Sequence, residues 1–158
     1  MSKQTKILII TLTVLVSIAL AIALARPYRI SGDCMQPAMP DGKLCFLNRL
    51  SPYIRQHEIG DIILFNYEDK VWISRIVALE SNTIHIKKGI ILVNGIKLKN
   101  NTIKRNWLNW RYGTYAINKP FAIPKDHVFV LSDNLSAHHD DSRVFGPIHS
   151  SSILGLVW

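Results

Sequence analysis

The sequence is poor in cysteine and in acidic residues. Its two cysteines, Cys34 and Cys45, are too few for a disulfide framework, although an oxidising compartment would allow them to pair with each other. The 11 Asp and Glu residues are outnumbered by 19 Lys and Arg, which gives a formal net charge of +8. Because the basic residues are scattered, nucleic-acid binding is not expected. The spread is typical of a solvated surface; beside a membrane, attraction to anionic lipid headgroups is the alternative. The chain also lacks repeats, so its 158 residues predict one compact domain with an appendage.

Long apolar runs occur in one place only. Residues 7–25 are uncharged and long enough to cross a hydrocarbon layer of about 30 Å as a helix. A cleaved secretory signal is the alternative, because Ala23-Leu24-Ala25 resembles a cleavage site. The run is longer than a typical signal core, however, and Arg26-Pro27 would be poor residues after a cut. We therefore expect an uncleaved transmembrane anchor.

The distribution of charge around the anchor sets the expected topology. Lys3 and Lys6 precede the apolar run and favour a cytosolic N-terminus, although Arg26 and Arg29 after the run weaken the bias. The expected organisation is a short cytosolic segment (1–6), a single-pass anchor in the inner membrane (7–25) and an extracytoplasmic, periplasmic domain (27–158).

Beyond Pro27 the chain contains short apolar stretches that turn residues interrupt. The β-branched residues in them predict a mainly β domain, and no later stretch keeps a helical period. Asn94-Gly95 inside ILVNGIKL predicts a two-residue hairpin turn. The aromatic segment 105–124 is expected to pack onto the β core as a small insertion; an interfacial membrane patch is the alternative. The predicted strands lie in KLCFLNRL, DIILFNY, VWISRIVALE, TIHIK, IILVNGIKL and HVFVLSD.

Four separated stretches carry a family resemblance. GDCMQPAMPDG, GDIILF, ISRIVAL with the ILVNG hairpin, and VLSDNLSAHHDDSRVFGPI resemble, in this order, the boxes of type I signal peptidases, including the TraF type of conjugative transfer systems. The short chain resembles the TraF type more than the large housekeeping enzymes. The resemblance implies the mainly β fold that signal peptidases share with LexA-like repressors. It also implies a membrane-anchored endopeptidase that cuts exported precursors after small residues, without a cofactor or metal.

Two decisive positions depart from the family pattern. The resemblance implies a Ser nucleophile directly before Met-x-Pro and a Lys base directly before Arg, but here Cys34 and Ser74 occupy those positions. A catalytically inactive member that binds precursors or pilus-assembly components is therefore one interpretation. The other is a changed mechanism: a thiol is a stronger acid than a hydroxyl, so it tolerates a weaker base than lysine. Lys70 is too far along the strand, about 13 Å from position 74, to replace the missing lysine.

The last box offers a weaker base. His138 and His139 are adjacent, so on an extended chain only one can face Cys34. We expect His139 to be the base and Asp141 or Asp140 to orient it; an exposed loop without a catalytic role is the alternative. Ser74 would be a hydrogen-bonding neighbour of Cys34.

The resemblance also implies supporting and substrate-binding residues. It places the Met35-x-Pro37 segment toward the lipid-facing surface, where it shapes the substrate cleft, and Ala38-Met39 is a further departure, since the family usually has Thr-Leu there. The expected substrate-binding residues are Gly32, Asp33, Met35 and Pro37, and the expected supporting residues are Arg75, Asp133, Ser142 and Arg143.

Overall fold

The protein, described from a computed structural model, consists of an N-terminal helix followed by two antiparallel β-sheets. The structure describes residues 2–99, 111–134 and 139–157. Helix α1 spans Lys3–Leu24 and strand β1 spans Ala25–Arg29, so the chain passes from the helix into the first strand without a linker. An 18-residue window of α1 has a mean hydropathy of 1.6 and none of it is buried, as expected for a helix that crosses a membrane.

The larger sheet has seven strands in the order β1-β2-β11-β3-β4-β9-β10. Its strand β11, near the end of the chain, lies between β2 and β3. This arrangement joins the beginning and the end of the domain in one sheet. The strands are β2 (Leu44–Asn48), β3 (Ile62–Tyr67), β4 (Lys70–Ala78), β9 (His127–Leu131), β10 (Ile148–His149) and β11 (Ile153–Val157).

The smaller sheet has four strands in the order β7-β6-β5-β8. Asn94 and Gly95 join β6 to β7 and both have positive φ, 51° and 78°, which confirms the predicted hairpin turn. After the anchor, the described residues contain only two α-helices, α2 (Ser51–Ile54) and α3 (Ser142–Phe145), each a single turn. The strands are β5 (Thr83–Lys87), β6 (Ile90–Val93), β7 (Ile96–Lys97) and β8 (Phe121–Ala122).

The large sheet separates the apolar core into clusters on its two faces. Neighbouring residues of β9 alternate between clusters: Val128 and Val130 pack on one face, while Phe129 and Leu131 pack on the other, against the smaller sheet. The face that carries the smaller sheet also carries a third cluster, built around Met35, Met39, Cys45, Leu47 and Leu64. The loop that contains Cys34 packs on this third cluster.

The described part of the aromatic segment packs on the smaller sheet. Ala116 is fully buried in its core, and the rings of Tyr115 and Phe121 meet edge to face with centroids 5.5 Å apart. These contacts agree with the expected small insertion. Residues 105–110 of that segment and His138 lie outside the described residues.

Candidate active site

Cys34 lies in the loop between β1 and β2. The loop is closed at its base, where Ile30 N donates to Lys43 O at 2.9 Å and Gly42 N donates to Ile30 O at 2.9 Å. Met35 is fully buried and packs beneath the loop. Within the Met35-x-Pro37 segment, only Pro37 is exposed, so the Met35 side chain contributes to the base of the loop and not to its surface. The loop presents Cys34 half-buried on a fixed apolar base.

Asn134, which follows β9, clamps this loop. Its backbone N–H donates to Cys34 O at 2.8 Å, and its Nδ2 donates to the carbonyl of Asp33 at 3.2 Å. The same Nδ2 reaches Asp33 Oδ2 at 3.3 Å. Asn134 therefore ties the backbone of Cys34 to the large sheet.

Arg75 and Asp133 form a buried ion pair beside this clamp. Arg75 Nε and Nη2 donate to the two carboxylate oxygens of Asp133 at 2.7 and 2.6 Å, and Nη1 donates to Gly60 O at 2.6 Å. Two parallel charge-assisted bonds fix orientation as well as distance. Asp133 precedes Asn134, so the ion pair ties the segment that contains Asn134 to β4.

Asp141 does not orient His139. Its carboxylate accepts from Arg143 Nε and Nη2, both at 2.8 Å, from Arg143 N at 3.0 Å and from Ser132 N at 3.3 Å. Asp141 is thus the N-terminal cap of α3 and the partner of a fully buried arginine. Ser142 Oγ accepts from Val130 N at 2.9 Å. These residues support α3 against β9, and the expected role of Asp141 needs this correction.

The carboxylate that contacts His139 belongs to Asp33. His139 Nε2 lies 2.8 Å from Asp33 Oδ1. The other expected candidate, Asp140, accepts instead from the Tyr112 hydroxyl at 2.7 Å. Asp33, which was expected only to bind substrate, therefore makes the contact with His139 that was expected of Asp140 or Asp141.

Cys34 and His139 line the same small cavity. It has a volume of about 190 Å³, and no hydrogen bond between Cys34 Sγ and the His139 ring occurs among the described residues. Catalytic hydrogen bonds are often long or poorly aligned without substrate, so the lack of this bond does not exclude proton transfer between the two side chains in a complex. The remaining lining residues are Ser31, Gly32, Val71, Trp72, Ile73, Ser132 and Asp140.

The surroundings of Cys34 disfavour the free thiolate. Burial raises the pKa of the Cys34 thiol above its ordinary value, and the negative charges of Asp33 and, more weakly, Asp133 raise it further. The backbone amides of Cys34 and Met35 lower that pKa. A thiol in this setting needs a nearby group that accepts its proton if it is to act as a nucleophile at neutral pH.

The cavity lies along an unpaired strand edge. Strand β9 pairs with β4 from Arg75 onward, and within the described residues no strand pairs with the segment 70–74 on that side. Val71 and Ile73 of this segment line the cavity together with Cys34. The edge therefore offers unpaired backbone groups to an extended peptide directly beside the thiol.

Ser74 is buried and does not line this cavity. Its Oγ donates to Ile73 O at 2.7 Å, and within the described part of the chain no hydrogen bond joins it to Cys34. On the neighbouring strand β3, Ser74 is paired with Ile63. Ile63 belongs to the core cluster on the face of the large sheet opposite to the face that Cys34 contacts. The expected hydrogen bond between Ser74 and Cys34 is therefore not present.

The two cysteines are both free. Cys45 is buried, and its thiol donates to Tyr28 O at 3.2 Å.

Gly32, expected to bind substrate, is exposed. Its N–H donates to Asp41 Oδ1 at 2.8 Å, and its φ is +96°. Neither a group of three or more metal-binding side chains nor a bridge between Cys34 and Cys45 is found in the described ranges.

The sequence did not reveal that the segment 113–115 contacts the backbone of α3. Thr114 N and Tyr115 N both donate to Arg143 O, at 2.7 and 3.0 Å. Gly113 allows this approach, because a Cβ there would lie 2.2 Å from Arg143 O. The adjacent Tyr112 bonds Asp140 beside the cavity. Gly113 was the available sequence signal for a close backbone approach. Its partner, Arg143, lies in a distant segment of the chain, so the sequence did not reveal the contact.

Comparisons with known proteins define the family to which this fold and site belong. The family model described as signal peptidase, peptidase S26, matches residues 3–158. The chain therefore belongs to the signal peptidase family S26. Its architecture of antiparallel sheets with an N-terminal apolar helix agrees with the mainly β fold expected from the sequence.

Particular relatives are signal peptidases I of bacilli. The chain is 27% identical over 138 residues to signal peptidase I P of Bacillus subtilis subsp. natto, a match that covers 84% of this chain and 75% of that protein. It is 28% identical over 138 residues to signal peptidase I V of Bacillus subtilis strain 168, with 82% of each chain covered. A solved structure of a signal peptidase I from Enterococcus faecalis V583 shares the fold, with TM-score 0.53 and 22% identity, covering 65% of this chain and 97% of that one.

Proposed function

We propose that this protein is a membrane-anchored signal peptidase of the TraF type that uses Cys34 as its nucleophile. It would remove signal or leader sequences from exported or pilin-like precursors. The observation that carries the proposal is the position of Cys34 and His139 in one cavity, beside the unpaired edge of β4. Family membership supports the reaction class.

The chemistry follows from the difference between a thiol and a hydroxyl. A thiol has a reference pKa of about 8.5, so a neutral imidazole is a sufficient base for it, whereas a serine hydroxyl requires a stronger one. Serine at position 74 cannot act as a base in place of lysine. The replacement of lysine is therefore compatible with activity once cysteine has replaced serine.

The proposed reaction has two steps. The Cys34 thiol gives its proton to His139 while Sγ bonds to the carbonyl carbon of the scissile peptide. The carbon–nitrogen bond then breaks as His139 returns the proton to the leaving amine, which leaves a thioester on Cys34. A water molecule, deprotonated by His139, hydrolyses the thioester and frees the thiol. Backbone N–H groups, including that of Cys34, stabilise the oxyanion in both steps.

The substrate would bind as an added strand on β4. Backbone hydrogen bonds to segment 70–74 would supply affinity without any charged recognition group. Val71, Trp72 and Ile73 line a cavity of about 190 Å³ next to Cys34, which has room for a small side chain before the cleavage site. The preference for small residues at that position is part of the proposal and follows from the family resemblance, since the cavity volume alone does not exclude larger side chains.

The membrane brings substrate and site together. Helix α1, with 22 residues, spans about 33 Å at a rise of 1.5 Å per residue, close to the thickness of the hydrocarbon layer. Strand β1 begins at Ala25, directly after the anchor, and Ala25 pairs with Asn48. The exposed apolar residues Tyr53 and Ile54 follow Asn48 closely in the chain, so they would lie at the membrane end of the domain. The topology proposed is a cytosolic N-terminus with the β domain on the periplasmic side of the inner membrane.

The experiment that tests the proposal is precursor processing in proteoliposomes. The full chain is reconstituted with an exported precursor that has alanine before its cleavage site, and the shortened product is followed by mass. Wild type and Cys45→Ala are expected to process the precursor, whereas Cys34→Ala is expected to lose processing entirely. Binding of the uncleaved precursor by wild type, with no product at any pH, would overturn the proposal in favour of the non-catalytic binding protein.

A further inference from the structure

We propose that Asp33 is the positioning carboxylate of this site. It would hold the His139 ring through Nε2, which leaves Nδ1 as the nitrogen that takes the Cys34 proton. The inference rests on the proposed cysteine mechanism and adds to it a third residue, adjacent in sequence to the nucleophile. Asp33 touches no reacting atom in this scheme and acts through His139.

The Asp33 carboxylate is itself fixed by two partners. Oδ1 lies 2.8 Å from His139 Nε2, and Oδ2 accepts from Asn134 Nδ2 at 3.3 Å. Asn134 also bonds the backbone carbonyls of Asp33 and Cys34. One residue thus sets the position of the nucleophile and of the carboxylate that holds its base.

The other carboxylates around the cavity are engaged elsewhere. Asp133 pairs with Arg75, Asp141 pairs with Arg143, and Asp140 accepts from Tyr112. Among the described residues, Asp33 is therefore the carboxylate that bonds the His139 ring. The contact is open to water, since the His139 side chain is 29% exposed and that of Asp33 is 52% exposed, so solvent screens the charge of Asp33.

The charge of Asp33 has two opposite effects on the reaction. Beside the thiol, it disfavours the thiolate and raises the pKa of Cys34, after the larger effect of burial. Beside His139, it stabilises the imidazolium that forms when the thiol loses its proton, and it fixes the ring tautomer. The charged or titratable groups near Cys34 are Asp33, Asp133, His139 and Asp140. Which effect of Asp33 dominates depends on whether His139 accepts the proton.

The two effects can be separated because they predict opposite changes. The rate of Cys34 alkylation by iodoacetamide is measured between pH 5 and pH 10 on the full chain in membranes, with Cys45→Ala as the background. If Asp33 positions His139, Asp33→Asn slows alkylation at neutral pH by about tenfold, the change for one pKa unit. In a His139→Ala background, where only charge repulsion remains, Asp33→Asn is expected to accelerate alkylation.

Each alternative outcome overturns a different part of the mechanism. If Asp33→Asn accelerates alkylation even with His139 present, Asp33 is only a repulsive charge and the positioning role is wrong, while the dyad stands. If His139→Ala leaves the pH profile unchanged, the Cys34–His139 mechanism itself is wrong. Asp33→Glu, which keeps the charge but extends the side chain, serves as the control: partial recovery of the wild-type profile supports positioning, and full loss equal to Asp33→Asn contradicts it.

Discussion

The backbone N–H of Asn134 donates to the carbonyl oxygen of Cys34 at 2.8 Å and joins the first sequence box to the last. The nucleophile loop is consequently positioned by a residue from the opposite end of the domain. Because Asn134 follows Asp133, which is paired with Arg75, the loop, β4 and the segment after β9 form one rigid unit. The position of Cys34 thus depends on polar contacts made by Asn134, Asp133 and Arg75.

The side chain of Asn134 gives the first prediction. Asn134→Ala keeps the backbone hydrogen bond to Cys34 but loses the two Nδ2 contacts to Asp33. A single hydrogen bond contributes about 0.5–1.5 kcal/mol, so we expect a modest loss of stability and a roughly tenfold slower processing rate. The measurement is kcat on a precursor in proteoliposomes. Asn66→Ala, at an exposed position of β3, is the control, and an equal loss in both variants would contradict a specific role.

The ion pair of Arg75 and Asp133 gives the second prediction. Asp133→Ala leaves a buried guanidinium without its carboxylate, which typically costs about 3–5 kcal/mol of the free energy of unfolding. Urea unfolding of the detergent-solubilised chain, followed by tryptophan fluorescence, measures this cost. Glu58→Ala removes an exposed partner of Arg55 at 3.8 Å and is expected to change the free energy by less than about 1 kcal/mol. Similar losses for the two variants would show that the buried pair has no special role.

Gly113 gives the third prediction. A Cβ at this position would lie 2.2 Å from Arg143 O, and φ is +99°. Gly113→Ala is therefore expected to displace α3 and to lower the thermal midpoint clearly more than Gly42→Ala does. Gly42 has φ +75°, but a Cβ added there would meet nothing within 4 Å, so its variant reports backbone strain alone, about 1–2 kcal/mol. Equal shifts of the midpoint would mean that the close approach to Arg143 is not needed.

Ser74 gives the fourth prediction. Its hydroxyl bonds the carbonyl of Ile73 and does not line the cavity. Ser74→Ala is expected to leave the pH profile of Cys34 alkylation unchanged and the processing rate within about twofold, since a neutral hydrogen bond contributes only about 1 kcal/mol. His139→Ala, measured alongside, should shift the profile to higher pH. A shift of comparable size in Ser74→Ala would assign the serine a direct role.

Much of the fold was predictable because its signals are local. Asn94-Gly95 specifies a turn with positive φ at both positions. Alternating apolar residues specify β5, and a short continuous apolar run specifies β3. Strand β11 was not predicted, since its stretch is short and contains Gly155. Strand β1 was not predicted either, because it follows α1 directly and Pro27 suggested a boundary. Both strands pair with β2, a partner that local pattern does not reveal.

The candidate site was predictable only in part: Cys34 and His139 line one cavity, whereas Ser74 and Asp141 do not. Cys34 and His139 were identified from the boxes in which they occur, and Arg75 and Asp133 from the family resemblance. The partner of His139 was not, because sequence proximity favoured Asp140 and Asp141, whose carboxylates the fold uses for Tyr112 and Arg143. The carboxylate that reaches His139 comes from the first box. Only tertiary packing decides which of several nearby carboxylates meets a given base.

The most direct test of Cys34 as the nucleophile is capture of the covalent intermediate. Reconstituted wild-type protein is mixed with an excess of precursor, quenched with acid within the first turnover so that the thioester is preserved, and digested for mass spectrometry. We expect an acyl adduct on Cys34 that hydroxylamine removes and that is absent from Cys34→Ala. Precursor cleavage that persists in Cys34→Ala, with no adduct on Cys34 in wild type, would contradict the cysteine mechanism.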